Sequence, residues 1–312
     1  MKQSYAHINS SKANFDQIYT QPDPRAYFST LGALDYMIPD LAAPILRQLL
    51  SARKAPEGQP HNVLDVGCSY GINAALQRFP VNFSTLRRRY TRHEMMQLDA
   101  GALRNLDRLY FSSWPDAGAA KFIGLDSSRS AVEYARAVGL LEHEIVADLE
   151  REPLAASDAA ILKTVDVILS TGCIGYVTDR TYRTLLASTT RKPWVVSFVL
   201  RMFPYAPIAR VLAEHGLITE RLAGATFAQR RFRDEEEFTH TLRVLRDLGI
   251  SSDGAEANGL FQAELYVSRP EADVRAAPLC EIVTACSGLQ RPVGPRYVRV
   301  DDADSSQIMV EP

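Results

Sequence analysis

The segment Asn62–Gly71, NVLDVGCSYG, runs a short apolar stretch straight into a turn punctuated by Gly67 and Gly71. A strand that ends in such a turn and leads into a helix presents backbone to a ligand beyond the strand's carboxyl end. Glycines there remove side chains where backbone and ligand must approach closely. The spacing is G-x-x-x-G. A dinucleotide fingerprint requires G-x-G-x-x-G, and a phosphate-binding P-loop ends in Gly-Lys-Ser/Thr; neither pattern is present. Asp65, just before the glycines, suits a ligand that carries positive charge better than a pyrophosphate. The remaining chemistry-bearing residues are sparse. The four cysteines (Cys68, Cys173, Cys280, Cys286) and six histidines show no metal-ligand spacing, so no metal is expected. Among the histidines only His93 stands out as a catalytic candidate, because it lies in a long insertion expected above the turn.

LDVGCSYG resembles the first motif of the class I S-adenosylmethionine-dependent methyltransferases, an acidic residue followed by a glycine-containing loop; Asp65, Gly67, Cys68, Ser69 and Gly71 occupy it. The resemblance implies S-adenosyl-L-methionine as cofactor and continues in chain order over about residues 60–270. FIGLDSS places Asp126 and Ser127 where the family holds the ribose hydroxyls, and a carboxylate can accept both. EIVADLE places Asp148 near the adenine, with Leu149 offering a backbone N–H. VDVILSTGCIGYV ends its strand at Ser170 and Thr171, where the family lines the methyl-transfer site; Cys173 and Tyr176 follow toward an acceptor pocket. GLFQAELYVSRP fits the family's reversed last strand.

The N-terminal FDQIYTQPDPRAYFSTL gathers Tyr19, Arg25 and Tyr27 just before this region. Read as a lid, it brings Arg25 to the cofactor carboxylate and Tyr19 or Tyr27 to the sulfonium, excluding water. Read structurally, the same residues only pack the segment onto the sheet. The acceptor pocket is expected to draw on Phe203 and Tyr205, with Phe79 and Phe83, which suits a moderately apolar small molecule. Methyl transfer is an in-line displacement on an activated carbon, so positioning alone supplies much of the rate.

Around these residues, strand-like runs at 62–66, 121–125, 144–147, 165–169, 194–200 and 260–267 alternate with helical patterns at 39–53, 128–138, 206–215 and 234–248. This predicts an α/β fold: a Rossmann-like, mainly parallel seven-stranded sheet with helices on both faces, a reversed last strand, a helical insertion and an N-terminal helical lid. The organisation reads as an N-terminal segment (1–58), a core (59–270) carrying an inserted helical pair at about 72–120, and an extension (271–312). RYVRV within the extension reads as tail or as extra strand. The cluster from Arg230 to Glu237 reads as the charged start of a helix.

Composition limits the partners. The chain has 312 residues, 46% hydrophobic and 23% charged, with a formal net charge of −2, so nucleic acid and membrane surfaces are not expected as main partners. With no signal-like segment and no long apolar run, a cytoplasmic location is expected. The inserted helices suit either a homodimer face or a cap. Function reduces to methyl transfer to a small-molecule acceptor, or a non-methylating protein that binds the same cofactor on this fold. A nicotinamide-dependent oxidoreductase is disfavoured by the glycine spacing, and a nucleic-acid methyltransferase by the charge.

Overall fold

The computed structural model describes residues 15–55, 58–284, 297–302 and 305–310. Among the described residues, three helices come first: α1 (Asp16–Tyr19), α2 (Arg25–Ala33) and α3 (Ile38–Ala52). α3 starts at Ile38 with Pro39 in its first turn, where a missing N–H costs nothing, and it continues through Pro44. Strand β1 (His61–Val66) is followed by α4 (Ile72–Arg78), α5 (Phe83–Tyr90), α6 (His93–Met96) and α7 (Ala100–Ser112). The insertion is therefore not a helical pair. Asn82 and Asp99 break it, each accepting a hydrogen bond from the N–H three residues on and so starting a new helix. Next come β2 (Ala120–Asp126), α8 (Arg129–Ala137), β3 (His143–Val146), α9 (Ala156–Leu162), β4 (Val167–Ser170), α10 (Asp179–Ser188) and β5 (Trp194–Leu200). The last part holds α11 (Ala206–Glu214), β6 (Leu217–Arg221), β7 (Thr226–Arg231), α12 (Glu235–Asp247), β8 (Leu260–Pro270), β9 (Tyr297–Asp302) and β10 (Ser305–Val310).

The strands form one ten-stranded sheet in the order β3-β2-β1-β4-β5-β8-β7-β10-β9, with β6 also paired to β8. From β3 to β5 all pairs are parallel. β8 runs antiparallel to β5, β6 and β7. Every residue of β5 is buried. Successive side chains point to opposite faces, so both faces of the sheet are covered. Seven strands were expected and six runs identified; β6, β7, β9 and β10 lie outside those runs. LITER and TFAQRR carry charge within or at the end of each strand and lack the apolar run that marked the others. Both fit along one edge of the long β8, which meets β7 near its start and β6 near its end. Tyr297–Val300 of RYVRV lie in β9, so the extension contains strand, and Arg296 lies outside the described residues.

β1 connects outward to β2 on one side, while β4 lies on its other side, in register Val63–Val167 to Asp65–Leu169. The connections diverge between β1 and β4, and the crevice beyond their carboxyl ends is where an open α/β sheet accepts ligand.

α12 shows how buried charge can resemble surface charge. Asp234 caps it by accepting from Glu237 N at 2.9 Å. The Glu237 carboxylate does not return to Asp234, as a capping box requires, but takes the Arg230 guanidinium at 2.7 and 2.9 Å and the Arg233 N–H at 2.8 Å. The buried line of the helix is Glu237, Thr241 and Leu245, while Leu248 is exposed.

Candidate functional site

A cleft of about 580 Å³ opens at the β1/β4 divergence. Its floor is the glycine turn. Gly67 lines it with φ +71, and a Cβ there would stand 2.6 Å from Cβ of Cys173, so only glycine permits the approach of the β4 turn. Ser69 lines the cleft in a left-handed conformation, φ 49, uncommon for a residue with a side chain. Its N–H donates to Asp126 Oδ2 at 2.9 Å, while its buried Oγ has no hydrogen-bond partner among the described residues. Backbone strain and an unpartnered buried hydroxyl thus coincide at one residue. Gly71 is the N-cap of α4, and Cys68 is buried beneath the turn; neither lines the cleft.

Asp65 is fully buried behind this floor. Asn73 Nδ2 donates to its two oxygens at 3.0 and 3.1 Å and lies 3.0 Å from Thr171 Oγ1. Burial pushes the Asp65 carboxyl up to about 7, against the pull of the Asn73 bond. Asn73 and Thr171 face the cleft and Asp65 supports them from behind.

Asp126, at the end of β2, lines the cleft, its Oδ1 held by Ser128 N at 2.9 Å. Each carboxylate oxygen keeps acceptor capacity beyond that one bond. Ser127, Asp148 and Leu149 line the same side; Asp148 Oδ1 accepts from Glu150 N at 3.1 Å. Glu150 is itself committed to the N–H and hydroxyl groups of Thr178 and Thr181. In the turn after β4, Thr171, Cys173 and Tyr176 line the cleft. Cys173 Sγ donates to Val66 O at 3.1 Å, and burial pushes its thiol up to about 12, which keeps it protonated and structural. Ser170 is buried with its hydroxyl 3.4 Å from Tyr182 OH and does not reach the cleft.

The N-terminal helices form the opposite wall. Tyr19 and Tyr27 line it with ring centroids 5.8 Å apart. Two hydroxyls of the ligand-facing loops hold this wall in place. Ser128 Oγ donates to Tyr19 O at 2.5 Å, and Tyr70 OH lies 2.9 and 2.8 Å from the carbonyls of Ile18 and Gln21.

Several expected residues lie elsewhere. Arg25 is not at the cleft: its guanidinium pairs with Asp23 and reaches the carbonyls of Met95, Met96 and Leu98, tying α2 to the last turn of α6. Carbonyls left open at a helix end attract a cation, and that satisfies the arginine without a ligand. His93 is exposed at the start of α6 and does not line the cleft. Phe203 packs beneath the β4 turn, against Gly175. Tyr205 is buried, donating to Ser197 Oγ at 3.2 Å and stacked on Tyr266 at 4.4 Å. Phe79 and Phe83 pack within the insertion and against α2.

In their place the structure brings in Tyr36, Gln229 and Arg230. The loop between α2 and α3 is pinned beside β7 by Met37 N to Gln229 O and Arg231 N to Leu34 O, both 2.8 Å. Nothing in TFAQRR marks these two side chains as cleft-facing. Arg230 is 3% exposed and Glu237 1%, a buried pair that the sequence shows only as charge.

No family model and no curated protein matches the sequence. Among solved structures, the chain is similar to the plantazolicin methyltransferase BpumL in complex with a pentazolic desmethylPZN analog and SAH. That likeness has 13% identity and a TM-score of 0.44, covering 87% of this chain and 100% of that one. It is also similar to magnesium protoporphyrin IX methyltransferase from Synechocystis PCC 6803 with bound SAM, at 11% identity and TM-score 0.37, covering 86% and 92%. A third is the YcgJ protein from Bacillus subtilis, at 12% identity and TM-score 0.39, covering 73% and 98%. Likenesses at this distance assign no residue and no substrate.

Proposed function

We propose that the chain is an S-adenosylmethionine-dependent methyltransferase acting on a small-molecule acceptor. One arrangement supports this above the rest. The Asp126 carboxylate lines the cleft at the β1/β4 divergence, above a glycine turn that lacks a phosphate-binding pattern and in which Ser69 is held left-handed with its buried hydroxyl unpartnered. In this reading Asp126 accepts from the ribose hydroxyls, and Asp148 and the Leu149 N–H meet the adenine. Gly67 and Ser69 lie along the amino-acid end, and the Asp65 carboxyl behind Asn73 supplies negative charge toward a cationic ligand. When bound, the cofactor supplies a methyl group on a sulfonium. The chain's own work is to bind, orient and exclude water. Tyr19 and Tyr27 close the N-terminal wall, held by Tyr70 and Ser128. A cleft of about 580 Å³ falls within the ordinary range for small-molecule sites.

Equilibrium dialysis with methyl-labelled S-adenosylmethionine tests the assignment. Retained label that excess S-adenosylhomocysteine displaces, and that NAD and ATP do not, is the expected result. Label displaced equally by NAD or ATP, or not retained at all, refutes it.

A further inference from the structure

Beyond the residues assigned to the cofactor, the cleft is lined by Leu31, Tyr36, Ile72, Gln229 and Arg230, with Phe15 at its rim. This half has a definite electrostatic character. The acids lining the cleft, Asp126, Asp148 and Glu150, follow β2 and β3, and Asp65 lies out of contact behind Asn73. Among the described residues, no carboxylate lines the half built by α2 and β7, and the Arg230 guanidinium carries its one formal charge.

That guanidinium is held rigidly. Three of its five N–H donors go to Glu237 and to the Arg231 carbonyl. Its central carbon lies over the rings of Phe15 and Phe261, 5.1 and 4.7 Å from their centroids. Its charge also acts on the neighbouring phenols, pulling against the burial that raises Tyr19 and Tyr36 well above the ordinary tyrosine range. Gln229 brings this wall to the reacting end. Its Nε2 is 2.6 Å from where a Cβ would stand on Gly172, in the turn after β4.

A cationic amine entering this half meets the guanidinium edge, with the Glu237 counter-charge buried behind it, and no lining carboxylate among the described residues. An anionic oxygen meets a cation, a side-chain amide and phenol hydroxyls among aromatic rings, and charge-assisted bonds are the strong ones. None of these groups is a base at neutral pH. The acceptor that fits is one already ionised.

We propose that the acceptor is a carboxylate on a flat apolar body, docked on Arg230 and Gln229, and that the product is its methyl ester. This rests on the methyltransferase reading above. The carboxylate oxygen donates a lone pair to the methyl carbon as the carbon–sulfur bond breaks, and the sulfur keeps the bonding pair. One new O–C bond replaces one S–C bond, both products are neutral at the reacting atoms, and no proton leaves.

The test measures binding to the full chain saturated with S-adenosylhomocysteine, using three matched probes: 3-phenylpropionate, 3-phenylpropanamide and 3-phenylpropylamine. The carboxylate is expected to bind roughly tenfold more tightly than the amide, as loss of a charge-assisted bond implies, and the ammonium most weakly. Arg230→Gln should abolish that preference. Glu237→Gln, which keeps hydrogen bonding to Arg230 but removes its counter-charge, should enlarge it, and it decides the matter if Arg230→Gln does not fold by circular dichroism. Equal binding of the three probes, binding of none, a preference that survives in folded Arg230→Gln, or one that does not grow in Glu237→Gln overturns the proposal. If S-adenosylhomocysteine itself does not bind, the cofactor assignment fails instead.

Discussion

The two halves of the cleft are built differently. The half assigned to the cofactor stands on the carboxyl ends of β1, β2 and β3, where loops only a few residues long leave backbone N–H groups and carboxylates in fixed positions. Asp126 takes two backbone bonds there and Ser69 is held left-handed. The other half is assembled from distant pieces: an N-terminal helix pair, the loop before α3 and the end of β7. It is held by single side-chain latches such as Tyr70 and Ser128 and by the Arg230–Glu237 pair. The first half tolerates no change of backbone. The second keeps its shape through contacts that can be loosened one at a time.

Gly67→Val should show that contrast most strongly. It adds a β-branched side chain 2.6 Å from Cβ of Cys173 at φ +71. The left-handed backbone alone costs roughly 1–2 kcal/mol for a residue with a Cβ. Thermal unfolding should fall by several degrees and calorimetric cofactor binding should vanish. Full retention of both would mean that the turn is not the rigid floor described.

A smaller effect is expected from pH. Burial lifts Asp65 to about 7, so in the free protein it is largely protonated below that value and ionised above it. A cationic ligand favours the ionised form, so affinity for S-adenosylmethionine should rise as pH increases through about 7 and level off above. Asp65→Asn should flatten the profile; a wild-type profile flat from pH 6 to 8 contradicts the electrostatic role. Folding stability carries the opposite sign. A carboxyl raised from 3.8 to about 7 favours the folded state fully below the unfolded value, and that contribution is lost as pH rises through about 7.

Tyr70→Phe should be mildest, because it removes one latch on the second half and leaves the backbone of the floor intact. A hydrogen bond of this kind is worth about 1 kcal/mol net, so cofactor affinity should weaken about fivefold. Amide exchange should quicken over residues 15–24, while the β1 and β4 amides stay protected. Equal quickening in the sheet would erase the distinction between the halves.

The same division governed what the sequence disclosed. β1, β2, β4 and β5 are largely apolar runs because both their faces are buried, and Asp126 could be placed at the end of one of them; Asp148 follows the short, mostly exposed β3 and was placed by the resemblance. β6 and β7 could not, because LITER and TFAQRR carry charges that only the fold shows to be paired: Arg230 with Glu237, and Glu220 with the fully buried Arg269. Arg25 misled for the converse reason. A lone arginine beside tyrosines suggested a ligand clamp, while its partners, the backbone carbonyls of Met95, Met96 and Leu98, have no sequence signature. The insertion was legible as helical, and its breaks were written in Asn82 and Asp99, caps that a search for apolar stripes passes over.

The central claim is that this cleft holds S-adenosylmethionine through Asp126. A calorimetric titration with S-adenosylhomocysteine, wild type against Asp126→Ala, tests it most directly. The account predicts one site per chain in the wild type. Losing hydrogen bonds to a charged group costs about 1.5–3 kcal/mol, so Asp126→Ala should bind about ten- to a hundredfold more weakly. Heat in neither protein, or equal affinity in both, would contradict it.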